Sequence, residues 1–516
     1  MASILTNTSA MVALQNLRSI NSNLVDTQNQ IATGKKIATA KDNSAIWAVS
    51  KVLESDVNAF KSISDSLNLG DSTVAIARQA AETVSDLLTE LKGNIVAAQE
   101  QNVDRSKIQS DIDAKVDQIA SIISAAQFNG LSLVEGTDAA TILGSLERDS
   151  SGNVSATDIE IARADLTQSA GSYGAGDQLA DTAGGFNTTV SGTTVAQTAN
   201  VAVLNLDDNA TTYAGDETIT LTIGSVTVEY TATAGEDETD AGAFIAGKIN
   251  SLGIEGVTAT DNGDGTVDIE STNAFSSVDV SVSASGTNIG TNQFDTFNGA
   301  GPAAASGTIQ QRAETITFDK NAAVKDGDGY QVTLNNGSST DTFRYIAGPG
   351  ETFEDVARGL KAAIDQGGIE GLTTKVSTDA DGNFVLSIDN DTATSLTLDV
   401  DGREGGVASG GLFGLAGIDV TTNDGARAAL DNIDTFLNTA IDAAASFGSS
   451  QSRIDLQAGF ISKLTDSLKA GIGSLVDADL EAASARLQAL QVQQQLGIQS
   501  LSIANQAPQS ILALFR

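Results

Sequence analysis

The chain of 516 residues carries 66 acidic against 28 basic side chains, a formal charge of −38, with 50 glycines, 3 prolines and no histidine or cysteine. Such a length predicts about two to four domains with sizeable cores. The absent residue types exclude Ser-His-Asp and Cys-His nucleophiles, zinc and haem sites of the usual ligand types, and disulfides, while the charge opposes nucleic acid and anionic membrane surfaces.

A carboxylate-only site, whether a glycosidase pair or a magnesium or calcium cluster, survives in principle. No nucleophile motif accompanies it, so no enzyme activity, catalytic residue, cofactor or metal ligand is expected. No run of about 18 apolar residues occurs, which argues against a membrane span. The opening MASILTNTSAMVALQNL has neither a basic n-region nor a continuous apolar core and does not read as a secretory signal. Zero cysteines suit a reduced cytosol and an exported protein equally.

In chain order, the first element is an amphipathic helix with Leu14, Leu17, Ile20, Leu24 and Ile31 on one face and largely Asn, Gln, Ser and Thr elsewhere. In the segment that follows, Lys35, Lys36 and Lys41 read as a solvated or inter-subunit polar face, and Trp47 as packing where the terminal arm meets the next helix. Val74, Ala77, Ala81, Val84, Leu88, Leu91 and Ile95 then recur at spacings of three and four, the seam of a helix that packs along its length. Ile108, Ile112, Val116, Ile119 and Ile123 repeat the pattern over 105–126.

Composition changes near residues 140 and 420. Residues 141–420 hold about 39 of the glycines and about 41 acids against 11 bases, so most of the net charge sits there. Alternation such as Thr218-Ile219-Thr220-Leu221-Thr222-Ile223 between Gly, Asp and Asn turns predicts strands. An internal repeat is visible: VEYTATAG and FIAGKINSLGIEGVT (228–235, 244–258) align with FRYIAGPG and GLKAAIDQGGIEGLT (343–350, 359–373), 115 residues later. Each copy predicts a ββαββ-like module, near 217–283 and 314–400. DNGDG at 261–265 lacks the downstream Glu of a calcium loop and reads as a hairpin turn. The stretches 141–200 and 284–312, weak in periodicity, read as linkers.

Beyond the middle, a seam runs through Ile433, Leu437, Ala440, Ala444, Phe447, Gln451, Ile454, Ala458, Ile461, Thr465 and Leu468. The seams predict one long antiparallel, coiled-coil-like helical rod built from both chain ends, or else an ordinary helical bundle. Rod packing is expected at Val84, Leu88, Leu91, Ile95, Ile112, Val116, Ile433, Leu437, Ile454 and Ile461. A last amphipathic segment places Leu480, Ala483, Leu487, Leu490 and Leu501 on one face. Lone helices of this kind are marginal in water, so each terminal stripe needs a partner: the other terminus, or copies of the chain. The fold class predicted is α+β multidomain, helical ends around a β-rich insert.

Three stretches can be matched to a family. IATGKKIATAKDNSAIWAVS (31–50), IQSDIDAKVDQIASIISAAQFNG (108–130) and the closing IANQAPQSILALFR (503–516) resemble, in order, the terminal motifs of bacterial flagellins. The middle repeats are similar, more weakly, to the hook IN-type module of flagellins and hook-associated proteins.

The resemblance implies a structural subunit that polymerises through its terminal helices into the flagellar filament used for motility. It would be exported by the type III flagellar route without a cleaved signal and be located outside the cell. It further implies a homopolymer of many copies, coassembly with other flagellins, and contacts with an export chaperone, the filament cap and hook–filament junction proteins. The implied domains are a filament-core helix and connecting segment (1–44), the N-terminal part of the rod (45–140), a surface-exposed variable insert (141–420), the C-terminal part of the rod (421–470) and a second filament-core helix (471–516). Polymerisation contacts would fall on Leu14, Leu17, Ile20, Leu24, Ile31, Leu480, Leu487, Leu490, Leu501, Leu512 and Leu514. Flagellins sensed by the vertebrate Toll-like receptor carry an arginine where Glu90 stands here, within Leu88-Thr89-Glu90-Leu91-Lys92-Gly93-Asn94, so that receptor-contact position is altered. A hook–filament junction protein, or a filament subunit with an adhesive insert, is the alternative reading.

Overall fold

The computed structural model describes residues 7–148, 153–179, 191–206, 212–286, 291–301 and 303–514, with the side chains of 148 and 507–514 excepted. Helix α1 (Thr8–Thr33) starts where the Asn7 side chain accepts from the Ala10 N–H and stops at Gly34, whose left-handed φ of 71° ends the turn. Helix α2 (Ser44–Ala98) runs 55 residues without proline, and α3 (Arg105–Ala125) is capped by Asp104. The QFNG motif is then explained: Asn129 and Gly130 both take positive φ, closing a two-residue hairpin between β1 (Gln127–Phe128) and β2 (Leu131–Ser132). Strands β3 (Ala140–Arg148) and β4 (Val154–Ile161) form a second antiparallel pair with a register shift between Leu143 and Ser145.

The insert continues with β5 (Thr193–Val195), β6 (Asn200–Asn205), β7 (Thr218–Ile223), β8 (Val226–Thr231), α4 (Glu238–Leu252), β9 (Val257–Asp261), β10 (Thr266–Ser271), β11 (Val278–Ser285), β12 (Gln293–Phe297) and β13 (Ser306–Ile309). Next come β14 (Glu314–Phe318), β15 (Gly329–Asn335), β16 (Thr340–Ile346), α5 (Phe353–Gln366), β17 (Leu372–Thr378), β18 (Phe384–Asn390) and β19 (Leu396–Arg403). A 3-10 turn (Leu415–Gly417) leads to α6 (Asn423–Val476) and α7 (Leu480–Leu514).

Contacts divide the chain into two units, 1–74 with 140–161 and 449–516, and 75–139 with 162–448. In the first, Ile63, Leu67, Ile454 and Ile461 are fully buried. The β3–β4 pair is seated there on α2 and α6: Ile142 fills the space left by the missing Cβ of Gly70, and the Gln457 amide donates to the Gly144 carbonyl at 3.0 Å. Within the stretch read from sequence as linker, residues 141–148 and 154–161 are therefore paired strands.

In the second unit the seams meet. Val84, Leu88, Leu91, Ile95, Ile112 and Ile433 are wholly buried, Val116 nearly so and Leu437 half-buried. Across them Lys92 pairs with Asp434 at 2.5 Å, and Gln109 donates to the Ile418 carbonyl while accepting from the Val420 N–H, both at 2.8 Å.

The insert has two cores. In the first lobe α4 lies with sheets β13-β11-β7-β8 and β12-β6-β10-β9, burying Leu204, Ile219, Leu221, Ile245, Val267 and Phe294. In the second, α5 lies with β16-β15-β19-β5 and β14-β18-β17, burying Phe318, Tyr330, Phe353, Leu360 and Ile388. Each repeat keeps the order hairpin, helix, hairpin, but its two hairpins join different sheets, and three of these four sheets are widened by strands from outside the repeat. Neither repeat is a free-standing ββαββ sheet. Because β5 pairs with β19, the chain touches the second lobe before building the first, which is nested within it. The 284–312 stretch likewise carries β12 and β13 rather than a bare linker.

The repeated GIEG has a conformational cause: Gly253 and Gly256 in the first copy, Gly368 and Gly371 in the second, all adopt positive φ where each helix gives way to its strand. The repeated tyrosine and acid are paired as well, Tyr230 hydroxyl to Glu236 at 2.7 Å and Tyr345 hydroxyl to Glu351 at 2.9 Å.

Arg312 ties the lobes together. Its buried guanidinium donates to Asp389 at 2.8 and 2.7 Å and to Asp391 at 3.1 Å, while its backbone N–H donates to the Asn273 carbonyl. Removing one member of a buried pair strands the other, at about 3–5 kcal/mol. Arg312→Ala is expected to lower the stability of the insert against denaturant by that amount, measured by tyrosine fluorescence, whereas Lys325→Ala, whose partner Glu404 is exposed with it, should leave it nearly unchanged.

Candidate polymerisation surface

Helices α1 and α7 belong to one contact unit and pack antiparallel along each other. Near one end the Asn7 amide donates to the Ala504 carbonyl at 2.8 Å; further along, the Gln494 amide donates to the Asn21 side-chain oxygen at 2.8 Å. Between these, Gly497 permits close approach: a Cβ there would stand 3.1 Å from Leu17 Cδ1. The glycine is conformationally costly in a helix, and here it is used for contact.

The pairing takes up much of the stripe predicted on each helix. Leu17, Ile20, Leu24 and Ile31 are half-buried, as are Leu487 and Leu501, while Ala483 and Leu490 are buried. Leu14 and Leu480 remain exposed. Leu512 and Leu514 lie outside the residues whose side chains are described.

The remaining faces are not as polar as the sequence reading held. On α1, Met11 and Val25 join Leu14 on the side opposite Ile20, and Val12 flanks them; on α7, Val492, Leu496 and Ile503 line the side opposite Leu490 and Leu501. All are exposed, with Met11 at 64% and Ile503 at 68%. Sequence reasoning followed the longer stripe and missed this one. Its signal is the spacing 492, 496, 503, which is again helical. Helices apolar on two opposite sides belong in a buried setting, and the α1–α7 pair buries only one side of each.

The connectors below the pair are fixed by backbone. The Lys36 N–H donates to the Val476 carbonyl at 2.7 Å and the Ala478 N–H to the Gly34 carbonyl at 2.9 Å, with Ile37 and Val476 buried between them. Lys35 and Lys51 both meet Glu54, whose carboxyl is held below its ordinary range first by the Lys51 bond. Asp42 ties the turn before α2, accepting from the Ala38 and Thr39 N–H groups. Of the predicted basic patch, Lys36 and Lys41 face solvent and Lys35 is partly covered; Trp47 is half-buried at the start of α2. Glu90 lies exposed on α2 and pairs with Lys115 of α3.

Long helices at both chain ends, paired with each other and still presenting apolar surface, with a β-rich region inserted between them in the chain, define a subunit of a helical assembly. Residues 4–139 match the family model of the bacterial flagellin N-terminal helical region and residues 430–515 that of the C-terminal helical region. Flagellin A of Rhizobium meliloti is 30% identical over 521 residues, spanning 100% of both chains. Flagellin D of its strain 1021 is 31% identical over 525 residues, again 100% of both. Flagellin FljN of Caulobacter vibrioides is 42% identical over 140 residues, 27% of this chain and 51% of that one. Among solved structures, the flagellar junction protein FlgL from Legionella pneumophila aligns at 9% identity with a TM-score of 0.26, covering 79% of this chain and 99% of that chain. The chain belongs to the bacterial flagellin family. It is a structural subunit of the flagellar filament, an extracellular assembly, and the end-to-end match to flagellins disfavours a junction protein. No described helix is long and apolar enough to cross a membrane.

Proposed function

We propose that α1 and α7 form a pre-paired two-helix element whose outer face is covered by neighbouring copies in the filament. Segments 45–140 and 421–470 would pack around it, and 141–420 would face solvent. The observation that carries this reading is the second apolar side of each terminal helix, left in water by a chain that buries the first. Covering each exposed Val, Leu, Ile or Met contributes on the order of 1 kcal/mol, small singly and large when repeated along a polymer. The charge distribution supports it, since like-charged subunits assemble more readily if the contact regions are nearly neutral. Passage through the flagellar type III route, and contacts with export chaperone, cap, junction proteins and other flagellins, belong to the same proposal.

Two substitutions separate the inner side from the outer. Leu496→Asp places a charge on the exposed side and is expected to leave monomer helicity unchanged while abolishing growth on filament seeds, because an unpaired carboxylate buried by a neighbour costs several kcal/mol. Leu490→Asp is expected to disrupt the α1–α7 pair as well, seen as rapid proteolysis of both tails. Normal filaments from the Leu496→Asp chain would exclude the outer face as an assembly surface.

Glu90 carries a second proposal. Its negative charge, engaged with Lys115, replaces the cation of receptor-sensed flagellins, and purified monomer is expected to signal weakly or not at all in a Toll-like-receptor reporter cell. A full response at ordinary flagellin doses refutes this.

A further inference from the structure

Between the second lobe of the insert and α6, within one contact unit, lies a cavity of about 50 Å³. The lobe lines it with Tyr345, Glu351, Asp355 and Arg358, and α6 with Asn432, Thr435, Phe436 and Thr439. The lobe is locked to α6 beside the cavity: Lys361 donates to Asp365 at 2.7 Å and to Asn432 at 2.9 Å, and the Asn432 amide donates back to Asp365 at 2.8 Å. Lys361 is only 5% exposed, so this lock is dry and its ions are matched.

Glu351 has no such match. Its carboxyl meets the Tyr345 hydroxyl at 2.9 and 3.0 Å and the Gly348 backbone, neither of them a cation. Arg358, the one cation among the lining residues, is committed to Glu354 at 2.8 and 3.1 Å and to Thr435 at 3.4 Å. Asp355 on α5 and Asp326 ahead of β15 add negative charge, while the lining residues of α6 and of the 410–413 loop bring no titratable group. Burial, chiefly, pushes the Glu351 carboxyl up to about 7.

The first lobe supplies an internal control. Glu236 occupies the corresponding place, bonded to Tyr230 at 2.7 Å and to the Thr233 N–H at 2.7 Å, as Glu351 is to the Gly348 backbone; in the first lobe the backbone bond outweighs burial and holds the carboxyl below the ordinary range. The same side-chain pair therefore behaves oppositely in the two lobes. No α6 covers α4, whose Phe244 and Leu252 stand exposed, whereas α5 is buried on both sides.

We propose that Glu351 is a protonation latch for the insert: in its neutral form it lets the second lobe seat fully on α6, and its ionisation loosens that seat. The proposal goes beyond the filament reading and does not depend on it. A carboxyl raised in the seated state means that seating takes up a proton. Seating is then strongest below the ordinary glutamate range near 4.5, weakens as pH rises towards 7, and stays level above that. The Lys361–Asp365–Asn432 lock persists throughout, so the lobe loosens without detaching. With no histidine in the chain, few other groups titrate in that window; the raised carboxyls of Glu314 and Asp328 are outside the cavity lining.

Hydrogen exchange of the full-length monomer at about pH 5.5 and 8.5, corrected for intrinsic rates, tests this. Protection of α5 (353–366) is expected to fall about thirtyfold at the higher pH, with α4 (238–252) unchanged. Glu351→Gln, which keeps shape and stays neutral, should abolish the fall whatever its effect on overall protection. Tyr345→Phe, which removes a bond favouring the ionised form, should shift the midpoint to higher pH. Equal protection of wild-type α5 at both pH values, or an undiminished fall in Glu351→Gln, overturns the proposal.

Discussion

The two ends of the chain must meet, and most of the architecture follows from that. Each terminal helix is too apolar to stay alone in water, and the contact running from Asn7 with Ala504 to Asn21 with Gln494 satisfies one side of each. Closing a loop across nearly the whole chain costs entropy, but that cost grows only slowly with length. An insert of any size can therefore be accommodated between the ends. The backbone bonds joining Lys36 to Val476 and Gly34 to Ala478 carry the pairing into α2 and α6.

Charge is arranged to suit. The acidic insert keeps many of its carboxylates in turns, where backbone N–H groups stabilise the ionised form: Asp379 accepts from Asp381 and Asn383, and Asp264 accepts from Thr266. Such acids remain charged and solvated at neutral pH. Where the insert touches a helix of the terminal region the rule changes. Asp365 is covered and matched by Lys361, and Glu351 is covered without a matching cation.

The nested lobes show how one local pattern acquires two environments. Both repeats use an acid three residues into the helix to cap the backbone, Asp240 bonding the Asp237 N–H and Asp355 the Thr352 N–H. Both use paired left-handed glycines to leave the helix. They diverge within the helix itself, where the exposed Phe244 of the first lobe corresponds to Gly359 in the second. A Cβ at Gly359 would overlap the Tyr345 ring, and the same glycine lines the cavity against α6, so the second helix stays slim where α6 lies.

The sequence by itself determined the helical seams, because spacing of three and four is a local property of one helix, and Val84 through Ile95, Ile112 and Ile433 are buried as that spacing requires. It also determined the family, since the terminal motifs are contiguous, and the absence of histidine and cysteine. Only the tertiary structure decided which apolar side of α1 and α7 is spent within the chain and which remains, because periodicity marks a face without naming its partner. Leu490 and Leu496 look alike in sequence and stand on opposite sides of the same helix, one at 7% exposure and the other at 55%. Strand pairing in the insert was equally hidden: β5 joins β19 across about two hundred residues, and such register is set by long-range burial rather than by neighbours in the chain.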